Sequence, residues 1–205
     1  MALSRPMKTS PGTFCKRLLD VVESEVLPLS RKGVAAGNKI FGAAVLRKSD
    51  LSLVIAGTNN EVENPLNHGE ISTLNAFYAL PTGQRPATGD CIFVSTHEPC
   101  SLCLSAITWA GFDNFFYFFG YQDTRDAFNI PHDLRILEEV FKVKDGAYAR
   151  QNVFWNAEDL VALSNDIGDN GAASRSEQIA RIRVAYDDLS QIYQASKSDN
   201  DIPLS

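Results

Sequence analysis

The stretch that decides the fold is CIFVSTHEPCSLCLSAITWAGFDNFFYFF, residues 91–119. It begins with an apolar run over 91–95 and ends with a second one over 115–119, and each is typical of a buried strand. Between them, Pro99 suits the first turn of a helix, where its missing N–H is tolerated, and residues 100–110 are mostly apolar. Strand, helix and strand at this spacing predict a right-handed crossover between two parallel strands.

Upstream of this unit, two short runs rich in branched residues, 40–46 and 51–56, are separated by the turn-like sequence RKSD. They predict an antiparallel hairpin. Apolar residues at helical spacing predict one helix over 14–27, ended by Pro28, and another over 70–80.

Downstream, residues 134–141 and 157–163 are predicted to be helical, and 164–174 has the composition of a surface linker. The last helix carries an apolar stripe that must be covered by its own core or by another subunit. The tail, 196–205, is predicted to be disordered. We therefore expect a catalytic domain over 12–163, followed over 164–205 by a linker, an amphipathic C-terminal helix and the tail.

Composition excludes several classes of protein. The 205 residues carry a formal net charge of -6, so no overall positive field attracts phosphate backbones or anionic membranes. The sequence shows neither an apolar leader at its start nor a run long enough to span a bilayer, which predicts a soluble, cytoplasmic protein. Four cysteines are too few for a disulfide scaffold, and a Cys-x-x-Cys pair in a reducing compartment is typically metal-binding or redox-active.

The chemistry is concentrated in two short motifs. Cys100 and Cys103 lie one turn apart at the start of a helix, where the helix dipole favours the thiolate that a metal requires. His68 offers a third ligand, and a catalytic zinc site uses three protein ligands and leaves the fourth position for water. Glu70, two residues after His68, is placed to exchange protons with that water. The set predicts a hydrolytic zinc site.

Two other interpretations of the cysteines remain open at this point. A structural zinc site needs four protein ligands, and His97 or Cys91 is the candidate fourth. A thioredoxin-like redox pair is the other. Neither gives Glu70 a role.

The motifs HGE at 68–70 and PCSLC at 99–103 resemble the signature of the zinc-dependent cytidine deaminase superfamily. HGEISTL is similar to fungal cytosine deaminase, and EPCSLCLSAITWAG resembles bacterial guanine deaminases and tRNA adenosine deaminases. FGAAVL and AGTNN resemble the first two strands of the family and its substrate-binding loop. The resemblance covers about residues 14–142 and favours the nucleobase deaminase branch. One departure is that the loop over 57–68 is about two residues shorter than in fungal cytosine deaminase.

The resemblance implies an α/β fold, a three-layer α/β/α sandwich with a mixed central sheet of about five strands. It implies one Zn²⁺ per chain, water as cosubstrate, a homodimer, and Glu70 as the group that moves protons. It assigns His68, Cys100 and Cys103 to the zinc. It assigns Asn59, Phe41, Gly42 and Ala43 to the substrate.

Three aromatic residues in later segments, Phe128, Phe154 and Trp155, are candidate lid residues because loops after strand ends form the walls of α/β clefts. Core packing is the commoner role for such residues.

The segments that flank the motifs are acidic or neutral apart from Arg125. We therefore expect a small neutral amino-heterocycle, with cytosine and guanine first and a pterin or triazine as further options. A tRNA adenosine, nucleoside or nucleotide deaminase is the alternative within this chemistry. A zinc-stabilised, non-catalytic binding module is the alternative of a different class.

Overall fold

The computed structural model describes residues 9–204. Its centre is a five-stranded mixed sheet in the order β2-β1-β3-β4-β5. The strands are β1 (Gly42–Arg47), β2 (Leu53–Thr58), β3 (Cys91–His97), β4 (Asn114–Phe119) and β5 (Asn156–Asp159). β1 pairs antiparallel with both β2 and β3, with Ala43 opposite Gly57 and Ser95, whereas β3, β4 and β5 run parallel.

Eight α-helices surround the sheet within the described chain. They are α1 (Pro11–Val21), α2 (Leu27–Ala35), α3 (Gly69–Ala79), α4 (Ser101–Trp109), α5 (Tyr121–Asp126), α6 (His132–Phe141), α7 (Leu160–Asn165) and α8 (Ala172–Ser196). In this part of the chain, no helix is both long and apolar enough to cross a membrane.

The alternation of strand side chains builds a core on each face of the sheet. Ala44 and Phe116 face one layer, where α1, α2, α7 and α8 supply the covering side chains. Val45 and Phe115 face the other layer, which contains α3 and α4. The result is the expected three-layer α/β/α sandwich, with the β3–α4–β4 crossover at its centre.

The N-terminal helix was predicted to end at Pro28, and this is wrong. A π-helical turn, Val22–Val26, joins α1 directly to α2, and Pro28 lies in the first turn of α2. A proline in a first turn gives up little hydrogen bonding, and the wider π turn accommodates the junction.

The predicted helix over 157–163 is also wrong in its first half. Residues Asn156–Asp159 form β5, and the Asp159 carboxylate then caps α7 by accepting a hydrogen bond from the Ala162 N–H at 2.9 Å. A four-residue strand is too short to show a period, and only its pairing with β4 makes it a strand. The short helix α5 had no counterpart in the prediction.

The C-terminal region packs on the same core as the rest of the chain. Ile182 and Tyr186 of α8 are fully buried against α1 and the sheet, so the apolar stripe is covered within the chain. The tail predicted to be disordered also has contacts: Ile202 is buried, and the Asn200 side chain donates to the Gly37 carbonyl at 2.9 Å. The division at residue 163 stays a prediction.

Candidate active site

Two helix starts converge at the candidate site. His68 is the residue before α3, and Cys100 is the residue before α4. A Cβ on Gly69 would lie 2.6 Å from Gly42 Cα, so the start of α3 touches the backbone of β1, and a side chain at residue 69 would force them apart. This close packing fixes His68 and Glu70 relative to the sheet.

The start of α4 is held by a second set of contacts. The buried Glu98 carboxylate accepts hydrogen bonds from Tyr148 Oη at 2.9 Å and from Arg150 Nη2 at 2.7 Å, and Tyr121 Oη donates to the Pro99 carbonyl at 2.5 Å. These bonds anchor the two residues that precede Cys100, and they come from segments that the sequence did not link to the site.

The three predicted ligands come together. His68 Nδ1 lies 3.4 Å from Cys100 Sγ and 3.7 Å from Cys103 Sγ, and the three ligand atoms all lie within 4.8 Å of one another. Within residues 9–204, this is the group of His, Cys, Asp and Glu side chains arranged to hold a metal ion. One imidazole and two thiols form a donor set that suits tetrahedral zinc.

The electrostatics of the ligands agree with metal binding. The hydrogen bond from Cys103 and the neighbouring His68 hold the pKa of the Cys100 thiol well below its usual value. Although burial opposes it, the interaction with Cys100 raises the pKa of His68 to about 9. Burial raises the pKa of Cys103. The lowered pKa of Cys100 favours its thiolate, which is the form that a metal binds.

Glu70 lies directly beside the ligands. Its carboxylate is buried and accepts hydrogen bonds from Ser95 Oγ at 2.6 Å and from Cys103 Sγ at 3.2 Å. Burial, and after it the charge of Cys100, raises the pKa of Glu70. A carboxyl group with a raised pKa is suited to accept and release a proton near neutral pH.

A cavity of about 370 Å³ opens beside His68 and Cys100. Its lining includes the predicted Phe41 and also residues that the sequence did not single out, among them Lys39, Glu61 and Asp133. Burial raises the pKa of Asp133. In the sequence, Asp133 could have been noticed from its position two residues after Pro131, at the start of α6. Nothing in the sequence marks Lys39 and Glu61, because their roles arise from the ion pair that they form with each other.

The other predicted substrate residues have different surroundings. Asn59 is buried, its N–H donates to the Phe41 carbonyl at 3.0 Å, and its side chain donates to Glu61. Gly42 packs against Gly69, and Ala43 is fully buried in the sheet, so both lie behind the site rather than on the cavity lining.

The aromatic lid candidates are not on the cavity lining either. Phe128 is buried against His97 and Phe119. Trp155 Nε1 donates to Thr108 Oγ1 at 2.8 Å, at the end of α4 opposite the site, and Phe154 is exposed. Core packing at β4 and at the far end of α4 accounts for Phe128 and Trp155, whereas Phe154 is part of neither the cavity lining nor the core.

The proposed fourth ligands for a structural zinc also lie elsewhere. His97 is enclosed by Phe41, Phe119, Phe128 and Tyr186. Cys91 begins β3, and its thiol donates to the Ala87 carbonyl. The donor set therefore remains at three, as a hydrolytic site requires.

Comparison with known proteins agrees with this geometry. Residues 20–119 match the cytidine and deoxycytidylate deaminase zinc-binding region. Over 119 residues the chain is 32% identical to guanine deaminase of Bacillus subtilis (strain 168), covering 56% of this chain and 68% of that protein. A crystal structure of a variant of NE0047 in complex with 8-azaguanine has the same fold, with a TM-score of 0.52 at 19% identity over 91% of this chain and 85% of that one.

The chain therefore belongs to the cytidine and deoxycytidylate deaminase family of zinc-dependent hydrolases that act on C–N bonds. Its similarity to a guanine deaminase supports the nucleobase branch of that family. The resemblance, the fold class, the zinc cofactor and the class of enzyme predicted from the sequence are confirmed.

Proposed function

We propose that the protein deaminates a free nucleobase, with guanine as the first substrate and cytosine as the second. The observation that carries the proposal is Glu70, a buried carboxyl group held between Ser95 and the zinc ligand Cys103, beside a cavity sized for one ring system. His68, Cys100 and Cys103 hold the zinc. In this reaction water adds to the ring carbon that carries the amino group, the C–N bond breaks, and ammonia leaves.

Each residue has a definite task in this proposal. Zinc, when bound, supplies a Lewis acid that makes water nucleophilic at neutral pH. Glu70 takes one proton from the attacking water and delivers it to the ring nitrogen, and it then carries the second proton, from the hydroxyl group on the tetrahedral carbon, to the leaving amine. Asn59 hydrogen-bonds the ring, and Phe41 forms part of the pocket wall. Asp133, on the cavity lining, is placed to accept a hydrogen bond from an amino group of the base.

The cavity favours a small neutral ring over a nucleotide or RNA. Its apolar lining comes mostly from exposed loops and helices: Leu66, Leu102, Ile136 and Leu204. The lysine on this lining, Lys39, is paired with Glu61 at 2.9 Å and is not free to bind a phosphate. Polynucleotide-binding sites need unpaired cations at the pocket entrance.

We place guanine before cytosine because the Bacillus subtilis protein that is 32% identical to this chain is a guanine deaminase. The cavity also accommodates a pterin or a triazine by size. A nucleoside or nucleotide substrate, and a non-catalytic zinc module, are the outcomes that would replace the proposal.

We propose a homodimer that forms through the exposed side of α4. Trp109 is 91% exposed at the end of this helix, and Val153 and Phe154 are exposed on the neighbouring turn before β5. Leu102 on the same helix lines the cavity, so a partner on this face would lie next to the site. Light scattering of the wild-type chain and of Trp109→Ser measures this directly: a dimer that dissociates in the variant supports the proposal. A cytoplasmic location likewise remains a proposal.

The test of function is ammonia release by the zinc-loaded protein across guanine, cytosine, adenine, their nucleosides, a pterin and a triazine. We expect turnover of guanine, weaker turnover of cytosine and none of guanosine. Turnover of nucleosides alone would overturn the free-base proposal. Zinc at one per chain with no turnover of any ring would favour a non-catalytic module.

A further inference from the structure

Glu61 is a buried carboxylate that contacts three functional side chains at once. Its Oε1 accepts a hydrogen bond from Lys39 Nζ at 2.9 Å, and its Oε2 accepts one from Asn59 Nδ2 at 2.6 Å. His68 Nε2 lies 3.6 Å from Oε1. The side chains of Glu61 and Lys39 are only 1% and 7% exposed, so these contacts are shielded from water. Neither Glu61 nor Lys39 belongs to the zinc ligands or to the proton-transfer group.

The contact with Glu61 fixes the orientation of the Asn59 amide. A carboxylate only accepts hydrogen bonds, so the amide nitrogen of Asn59 must face Glu61, and the oxygen must face away. Asn59 Oδ1 is buried and has no hydrogen-bond partner among residues 9–204. A buried acceptor without a partner is costly, which points to a ligand N–H as its partner.

The same carboxylate also selects which nitrogen of His68 is free to bind metal. Nδ1 faces the sulfurs of Cys100 and Cys103, and Nε2 faces Glu61. A carboxylate on one ring nitrogen favours the proton on that nitrogen and leaves the lone pair of the other nitrogen for the metal.

Lys39 makes this arrangement possible. A buried carboxylate without a counter-ion is strongly unfavourable, and the Lys39 ammonium supplies the opposite charge inside the protein. Lys39 precedes β1 and Glu61 follows β2, so the ion pair links the two ends of this hairpin.

We propose that Glu61, with Lys39 as its counter-ion, is a positioning residue that presents Asn59 as a hydrogen-bond acceptor to the base and His68 Nδ1 to the metal. The base must then offer a ring N–H to Asn59. This inference rests on the proposed function for its substrate, but not for its effect on the metal.

The test compares Glu61→Gln with the double variant Lys39→Met/Glu61→Gln. A glutamine at residue 61 can donate as well as accept, so the Asn59 amide is no longer held in one orientation. For both variants we expect the KM for guanine to rise about tenfold or more with a smaller change in kcat, and the affinity for zinc, measured by chelator competition, to fall about tenfold. The double variant removes both buried charges, so its melting temperature should recover relative to the single variant.

Asp169→Asn is the matched control, because it breaks another ion pair, Asp169–Arg175, that joins the loop after α7 to α8. It should lower stability and leave both KM and zinc affinity unchanged. A double variant that regains wild-type stability together with wild-type KM and zinc affinity would overturn the inference and reduce Glu61 to a structural role.

The ring N–H is tested with guanine methylated in turn at each ring nitrogen. At one position, methylation should lower kcat/KM at least about tenfold in the wild type and clearly less in Glu61→Gln, because the steric part of the loss is common to both proteins. Equal losses in the two proteins at every position would contradict the role of Asn59 as an acceptor. If the wild type turns over no base at all, the proposed function fails, and the zinc affinities still decide the part of the inference that concerns His68.

Discussion

His68 and His97 each precede a helix that builds the candidate site, yet they have opposite surroundings. His68 is half-buried among two thiols and the Glu61 carboxylate, and the interaction with Cys100 raises its pKa to about 9 despite burial. His97 is fully enclosed by aromatic rings with Thr96 Oγ1 as its polar contact at 2.9 Å, and burial lowers its pKa well below the usual value. Anionic neighbours make the first a metal ligand, and apolar neighbours make the second a core residue.

The largest contrast is expected when each histidine is replaced. His68→Ala should abolish zinc binding at one ion per chain and lower deaminase activity more than about 10³-fold, since the ligand set falls to two. His97→Phe should keep full zinc content and activity within about threefold, because a ring of similar size still fills the aromatic cage. Metal analysis and ammonia release measure both. Loss of zinc from His97→Phe would mean that His97 is the fourth ligand, and the comparison would fail.

Glu70→Gln separates proton transfer by the carboxyl group from the binding of zinc by His68 and the two cysteines. Activity should fall about 10²- to 10⁴-fold because general acid–base transfer is lost, while zinc remains at one per chain. The exposed Glu63→Gln is the matched control and should behave like the wild type. Loss of zinc from Glu70→Gln would instead show that the Glu70 carboxylate helps to bind the metal.

A smaller effect is expected on stability at low pH. Burial holds the pKa of His97 in the fold below that of the unfolded chain, so below about pH 6.5 the unfolded state binds more protons at this residue. As the pH is lowered, the free energy of unfolding should therefore decrease, by up to about 1.4 kcal/mol per pH unit from this group.

The measurement is urea unfolding at pH 7.5 and 5.5 for the wild type and His97→Phe. The phenylalanine variant should lose less stability across this interval, because the other titrating groups, His132 included, are common to both proteins. An identical loss in the two proteins would show that His97 does not stay neutral in the fold.

The predictability of the fold differed from element to element. α3, α4 and the strands around them were predicted within one or two residues, because each carries a clear apolar pattern and a Pro or Gly at its end. β5 was missed because four residues show no period. Pro28 was misread as a stop because a π-helical turn before it depends on how α1 and α2 pack on the sheet.

The site was predictable where its residues share a motif and not where they meet only in space. His68, Glu70, Cys100 and Cys103 lie in two compact motifs whose chemistry is readable from residue type and spacing. Lys39 lies just before β1, Glu61 in the loop after β2 and Asp133 at the start of α6, and no local sequence pattern links the three residues.

By itself, the sequence determined the zinc chemistry and the class of fold, because metal ligands and buried strands need particular residues at fixed spacings. Only the tertiary structure decided which histidine is a core residue, how the Asn59 amide is oriented, and that the tail reaches the cavity. Burial and partners set those properties, and both arise from contacts between residues far apart in the chain.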